Sequence, residues 1–127
     1  EGILRDYLFK DSRKGRVFPV KRPRKGVREA VLEYRIVETA PDGSLSLAEI
    51  TLHTGRTHQI RVHMAYLGHP VAGDTVYGPS RQPPGLDGQC LHARTIGFRH
   101  PVTGAYLEFT SPLPPYFRDF LARLQTL

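Results

Sequence analysis

The chain has 127 residues, 39% of them hydrophobic and 24% charged, with a formal net charge of +6. That length supports one domain with a modest core and excludes two, and no apolar run approaches the roughly 20 residues that span a bilayer. The first residues lack the apolar segment of a signal peptide, and the single cysteine, Cys90, excludes an internal disulfide framework, so a cytoplasmic protein is expected.

The positive charge is concentrated at the start. Residues 1–35 hold eleven Lys and Arg against five Asp and Glu, whereas residues 36–127 hold seven of each. A dense basic stretch suits a phosphate backbone, because neutralising phosphates releases condensed counterions. The plain alternative is a solvated loop. Gly15, Pro19, Pro23 and Gly26 punctuate this stretch, which predicts a basic arm over residues 1–27 without regular structure. Lys21, Arg22, Arg24 and Lys25 are its candidate contacts to a nucleic-acid backbone.

Residues 28–38, REAVLEYRIVE, are rich in β-branched and aromatic side chains and predict a strand. Pro41 and Asp42-Gly43 supply a turn, and the alternation of residues 45–53, LSLAEITLH, predicts the returning strand of a hairpin. Gly55 breaks that strand. Thr57 is the predicted N-cap of a helix, HQIRVHMAYL, with Ile60, Met64 and Leu67 as its buried stripe and Gly68 as its C-terminal cap. Residues 68–89 are dense in Gly and Pro and predict a loop. CLHARTIGFRH (90–100) and AYLEFTSP (105–112) predict a second hairpin. The tail from Pro114 predicts a helix, with Pro115 in its first turn and Phe117, Phe120, Leu121 and Leu124 toward the core. The order β-β-α-loop-β-β-α describes an α+β fold, with a mixed, mainly antiparallel sheet and flanking helices, in residues 28–127.

The chemistry is densest between His53 and Gly78. His58 and His63 are five residues apart, which places them on different helix faces, and no Cys or carboxylate stands nearby at a ligand-like spacing. No metal site is expected. Neither a Gly-x-Ser-x-Gly elbow nor a phosphate loop is present. Arg56 and Arg61 flank a helix start, where unpaired N–H groups and the helix dipole favour an anion, and Gln59 adds an orienting amide. Two readings stay open: the arginines bind a ligand's carboxylate or phosphate, or they pair with the chain's own acids, such as Asp74.

The run TGRTHQIRVHMAYLGHPVAGDTVYG (54–78), followed by LHA (91–93) and by HPVTG and FTSPLPPYF, resembles the C-terminal part of the catalytic domain of RluA-type RNA pseudouridine synthases. The resemblance extends over the whole chain and is most specific from Gly55 to Gly78. It implies an isomerase that converts uridine to pseudouridine in structured RNA, ribosomal or transfer, without metal or organic cofactor. It also implies a target nucleotide flipped out of its stack. By the same resemblance Arg61 is the catalytic arginine that pairs with the family's catalytic aspartate, and a permanently charged guanidinium suits that task. Leu91 matches an apolar position against the flipped base. Arg56, His58, Gln59, His63 and His92 join it as the implied substrate-binding set, with His58, Gln59 and His63 fixing the helix and the wall of the site.

The family's aspartate stands in an Arg-Leu-Asp-x-x-Thr-Ser-Gly motif, and a base-stacking tyrosine follows it. These 127 residues contain neither, and Asp6, Asp11, Asp42, Asp74, Asp87 and Asp119 all lie in other contexts; Asp74 matches a structural position. The expectation is a C-terminal portion of one catalytic domain, inactive alone, whose uncovered core favours self-association. A non-catalytic RNA-binding module built on the same fold is the alternative.

Overall fold

The structure, a computed structural model, describes all residues except 85, 87 and 127, together with the side chain of residue 125. Asp87, one of the acids considered above, lies outside the described residues. The elements are β1 (Gly2–Asp11), β2 (Arg16–Val20), β3 (Val27–Thr39), β4 (Ser46–Leu52), α1 (Gln59–Leu67), β5 (Thr95–Arg99), β6 (Tyr106–Thr110) and α2 (Pro115–Ala122), closed by a 3-10 turn at Leu124–Thr126. β2-β1-β3-β4 form an antiparallel sheet, and β5 and β6 form a separate hairpin. Helices and antiparallel sheets together give the α+β class expected from the sequence.

The first correction falls on residues 1–27. They are not an irregular arm: β1 and β2 form a hairpin that supplies two of the four strands of the main sheet. Pro19 is tolerated because β2 lies at the sheet edge, where one missing N–H costs no ladder bond. The turn between the strands is held by Asp11, whose Oδ1 accepts N–H bonds from Arg13 (3.0 Å) and Lys14 (3.2 Å), and Gly15 takes the left-handed conformation that closes it. Only Lys21 to Gly26 remain as an exposed link. Lys21, Arg22, Arg24 and Lys25 thus stand on a short link between two strands of the sheet.

The β3–β4 hairpin follows its pattern. Its turn is closed by Ala40 N–H on Leu45 O (2.9 Å) and by Asp42 Oδ1 accepting from Ser44 N–H (2.9 Å). A bulge between Ile36 and Glu38 adds one residue to β3. The second hairpin is shorter than its pattern, and the C-terminal helix starts at Pro115 as expected; of its expected core residues Leu124, in the 3-10 turn, is buried, while Phe117, Phe120 and Leu121 are half-buried.

α1 lies against one face of the sheet, where Leu8, Val17 and Ala30 meet Val62. Ala30 is fully covered, and its small side chain admits the helix closely. The predicted helix stripe is the second correction. Met64 is buried, but Leu67 is 40% exposed, and the covered face carries Gln59, Val62 and His63 instead. Gly68 caps the helix as expected, at φ 96°, with its N–H on Ala65 O and the N–H of His69 on Met64 O. The hairpin β5–β6 shows Ile96, Phe98 and Phe109 to solvent, with the two phenyl rings stacked at 5.9 Å. Among the described residues no helix is long and apolar enough to cross a membrane.

Candidate active site

The start of α1 is set by Gln59. Its Oε1 accepts bonds from Arg56 N–H (2.9 Å) and the Thr54 hydroxyl (2.8 Å), and its Nε2 donates to Val31 O (3.0 Å). Thr54 Oγ1 in turn accepts from Val31 N–H (2.9 Å). One amide therefore ties the approach to the helix onto β3. Thr57 is not the N-cap. His58 occupies that position at φ 53°, a left-handed conformation unusual for a residue with a side chain, and makes no side-chain cap. The bonds through Gln59 hold the backbone in that shape.

Arg61 then projects to Asp74. Its Nε and Nη2 reach the two carboxylate oxygens at 2.8 and 3.0 Å, a bidentate fork. Asp74 is 1% exposed, and the Arg61 side chain 13%. The Asp74 Oδ1 also accepts from the N–H groups of Val76 (3.1 Å) and Tyr77 (3.2 Å), so the carboxylate caps its own turn. Burial alone would raise the Asp74 pKa. The Arg61 hydrogen bonds and charge, with the two backbone N–H groups, outweigh that and hold it below the usual carboxylate value. Of the two readings left open for Arg61, pairing with the chain's own acid is what the structure contains. Nη1 is the guanidinium nitrogen that this pair leaves for another acceptor.

Two residues that sequence reasoning missed build the rest of the site. Tyr77 packs against the core, and its hydroxyl accepts from Val17 N–H (2.8 Å) while lying 2.8 Å from His58 Nδ1. The hydroxyl has a proton that it can donate to Nδ1 of a neutral His58 ring. Burial, and then the charge of Arg61, lower the His58 pKa in agreement with that state. Gln82 stitches the loop around Asp74: its Oε1 accepts from Gly73 N–H (2.9 Å), and its Nε2 donates to Asp74 O (3.2 Å) and Pro79 O (2.7 Å). Gly73, at φ 84°, passes so close to the Gly88 carbonyl that no Cβ would fit. The Asp74–Tyr77 spacing was the available signal for the turn, but nothing in the spacing gave its partners.

The other expected residues are dispersed. Arg56 is exposed and donates from Nε to Glu29 O (2.9 Å). Leu91 and His92 are half-buried; Leu91 O accepts from the Tyr116 hydroxyl (3.2 Å), and His92 Nε2 lies 3.1 Å from Ser111 O. Among the described residues neither is hydrogen-bonded to Arg61, although Cys90 N–H on Ala72 O (2.8 Å) ties their segment to the Asp74 loop. Lys21, Arg22, Arg24 and Lys25 are all exposed on the link after β2, with Arg24 4.8 Å above the Phe9 ring. Gln59 and His63 are interior, 3% and 1% exposed. No group of three metal-ligating side chains converges among the described residues.

His63 is the most buried titratable ring. Its nitrogens lack a hydrogen-bond partner among the described residues, and Asp6 Oδ2 stands 3.6 Å from Nε2. Burial lowers its pKa against the opposing pull of Asp6. A histidine held below its unfolded value of about 6.5 leaves the unfolded state binding more protons as pH falls. The stability it protects is complete above about pH 6.5 and is lost progressively below it. The thermal midpoint should therefore decline as pH falls below about 6.5, and His63→Gln should flatten that decline. An unchanged slope in the variant would assign it elsewhere.

A family model described as RNA pseudouridylate synthase matches residues 1–66. An uncharacterized RNA pseudouridine synthase of Chloroflexus aurantiacus is 49% identical over 98 residues, covering 77% of this chain and 30% of that protein. Ribosomal large subunit pseudouridine synthase D of Vibrio cholerae is 46% identical over 99 residues, covering 68% of this chain and 30% of the relative. The chain thus spans about a third of the length of these curated relatives. Among solved structures, human RNA pseudouridylate synthase domain containing 4 superposes with a TM-score of 0.69 at 25% identity, over 97% of this chain and 56% of that one.

Proposed function

The chain belongs to the RluA-type RNA pseudouridine synthase family, and we propose that it forms the arginine-bearing part of an enzyme that isomerises uridine to pseudouridine in ribosomal or transfer RNA. One observation carries this reading. Arg61 is pinned through two nitrogens to the buried Asp74 and retains Nη1, so it presents a fixed positive charge to a second carboxylate. A guanidinium already oriented needs no reorganisation when a charge develops beside it. The family's catalytic aspartate stands in an Arg-Leu-Asp motif that these 127 residues do not contain. Alone, the chain is an RNA-binding scaffold without turnover, and Gln59, His58 and His63 serve it by fixing the wall behind Arg61.

The basic link after β2 holds the RNA. In this reading the 127-residue chain binds structured uridine RNA and forms no pseudouridine from it. Lys21→Ala/Arg22→Ala should weaken binding and make the plot of log affinity against log salt shallower, by about 0.7–0.9 for each phosphate contact removed. Pseudouridine formed by the chain alone, or an unchanged slope in the double variant, would contradict it.

The exposed hairpin face of Ile96, Phe98 and Phe109 is the surface through which the isolated chain self-associates. Its apparent mass in solution should rise with concentration, and Phe98→Lys should suppress the rise. A monomer at all concentrations would remove this role.

A further inference from the structure

Cations and aromatic rings alternate from the candidate active site out to the β1–β2 hairpin. The Arg61 guanidinium lies 5.1 Å from the centre of the Tyr77 ring, and the Arg16 guanidinium lies 5.0 Å from the same ring. Arg16 is also 5.7 Å from the Phe18 ring, over which the Lys14 ammonium sits at 5.5 Å. Every step is within the roughly 6 Å at which a cation is attracted to an aromatic face. Arg61–Tyr77–Arg16–Phe18–Lys14 is thus a continuous ladder, and Tyr77 anchors it to β2 through the hydroxyl that accepts from Val17 N–H.

Charge decides what the outer part of the ladder fits. Arg61 has Asp74, but neither Arg16 nor Lys14 forms an ion pair with a described residue. One oxygen of the Asp11 carboxylate, Oδ1, accepts from two backbone N–H groups of its own turn. Arg16 Nε is buried and without a hydrogen-bond partner among the described residues. Two cations without an ion-pair partner among the described residues, interleaved with an aromatic ring in the quarter of the chain that carries its whole charge excess, match the backbone and bases of a single nucleic-acid strand.

We infer that this ladder is the track for the single-stranded RNA next to the flipped uridine, with a base stacked on Phe18 and phosphates on Lys14 and Arg16. The inference rests on the RNA-binding reading above and deepens it. Exchange is built into the arrangement: the cations resting on the Phe18 ring move to phosphates as a base takes the ring face. Because Tyr77 is in contact with both Arg16 and Arg61, the track ends at the arginine of the site.

The test uses the 127-residue chain, a ten-nucleotide oligouridylate and an abasic ribose-phosphate strand of the same length. Phe18→Leu should weaken oligouridylate binding about tenfold, within the range of one lost base–aromatic stack, and leave the abasic strand and the salt slope unchanged. Lys21→Ala/Arg22→Ala should weaken both strands. Loss in the second variant with none in the first would overturn the track and spare the phosphate reading; no binding by the unaltered chain would overturn both. The unaltered chain supplies a measurement that does not depend on folding of a variant. Irradiated with 5-iodouridine RNA, it should crosslink at Phe18 or Tyr77, and crosslinks confined to other residues would overturn the inference.

Discussion

Replacing Asp74 by Ala should lower the unfolding free energy by about 3–5 kcal/mol, the cost of leaving one member of a buried ion pair alone. The size follows from what the carboxylate does. It is 1% exposed, takes both nitrogens of the Arg61 fork, and caps the N–H groups of Val76 and Tyr77. Its removal strands a guanidinium that is itself nearly covered and opens the turn that carries Tyr77. A domain of this size has roughly 5–15 kcal/mol in total, so the loss is a large share of it. Urea unfolding followed by circular dichroism measures it. In the double variant with Arg61→Ala the losses should fall short of additive by about 1–3 kcal/mol, the signature of a direct pair. A loss below about 1 kcal/mol would place the pair in the class of solvated surface bridges. Acid supplies an independent check. Because the Asp74 pKa is lowered on folding, its contribution is complete above the ordinary carboxylate value of about 3.9 and is lost as pH falls through the folded value. That window lies below the one set by His63.

What the sequence made legible was whatever is written in local periodicity. The β3–β4 turn, the second hairpin, the Gly68 cap and Pro115 in the last helix each follow from residues within a few positions of one another. β1 and β2 were hidden by composition: Gly15, Pro19 and Pro23 argue for a loop, and only the edge position of β2 makes the proline harmless. The helix face was misassigned for a different reason. Gln59 and His63 are buried although polar, Gln59 because three of its hydrogen bonds go to the segment before the helix and to β3. No hydrophobic pattern reports a side chain covered by virtue of its hydrogen bonds. The Arg61–Asp74 fork joins a helix to a loop thirteen positions on, a separation at which sequence spacing carries no geometry. The family resemblance pointed to Arg61 and Asp74 was among its possible partners, but only the fold decided between that acid and a ligand.

The largest functional effect belongs to Arg61. In a complete enzyme carrying this chain with the Arg-Leu-Asp segment, Arg61→Ala should reduce turnover about 100-fold or more, the usual cost of removing a preorganised charge from a reacting centre. Release of tritium from RNA labelled at uridine C5 reads the rate. Alanine alone does not separate chemistry from folding, since it also leaves Asp74 buried without its partner. Arg61→Lys separates them. A lysine ammonium supplies the charge that Asp74 requires, so most of the stability should return. It is a point charge rather than a planar fork, and it does not hold one carboxylate in-plane through two nitrogens while offering a third to another. Turnover should therefore stay close to that of the alanine variant, while RNA affinity, which the proposal places on the basic link after β2, changes little. Recovery of turnover by lysine, or a loss of less than about threefold in the alanine variant, would reduce Arg61 to a structural partner of Asp74.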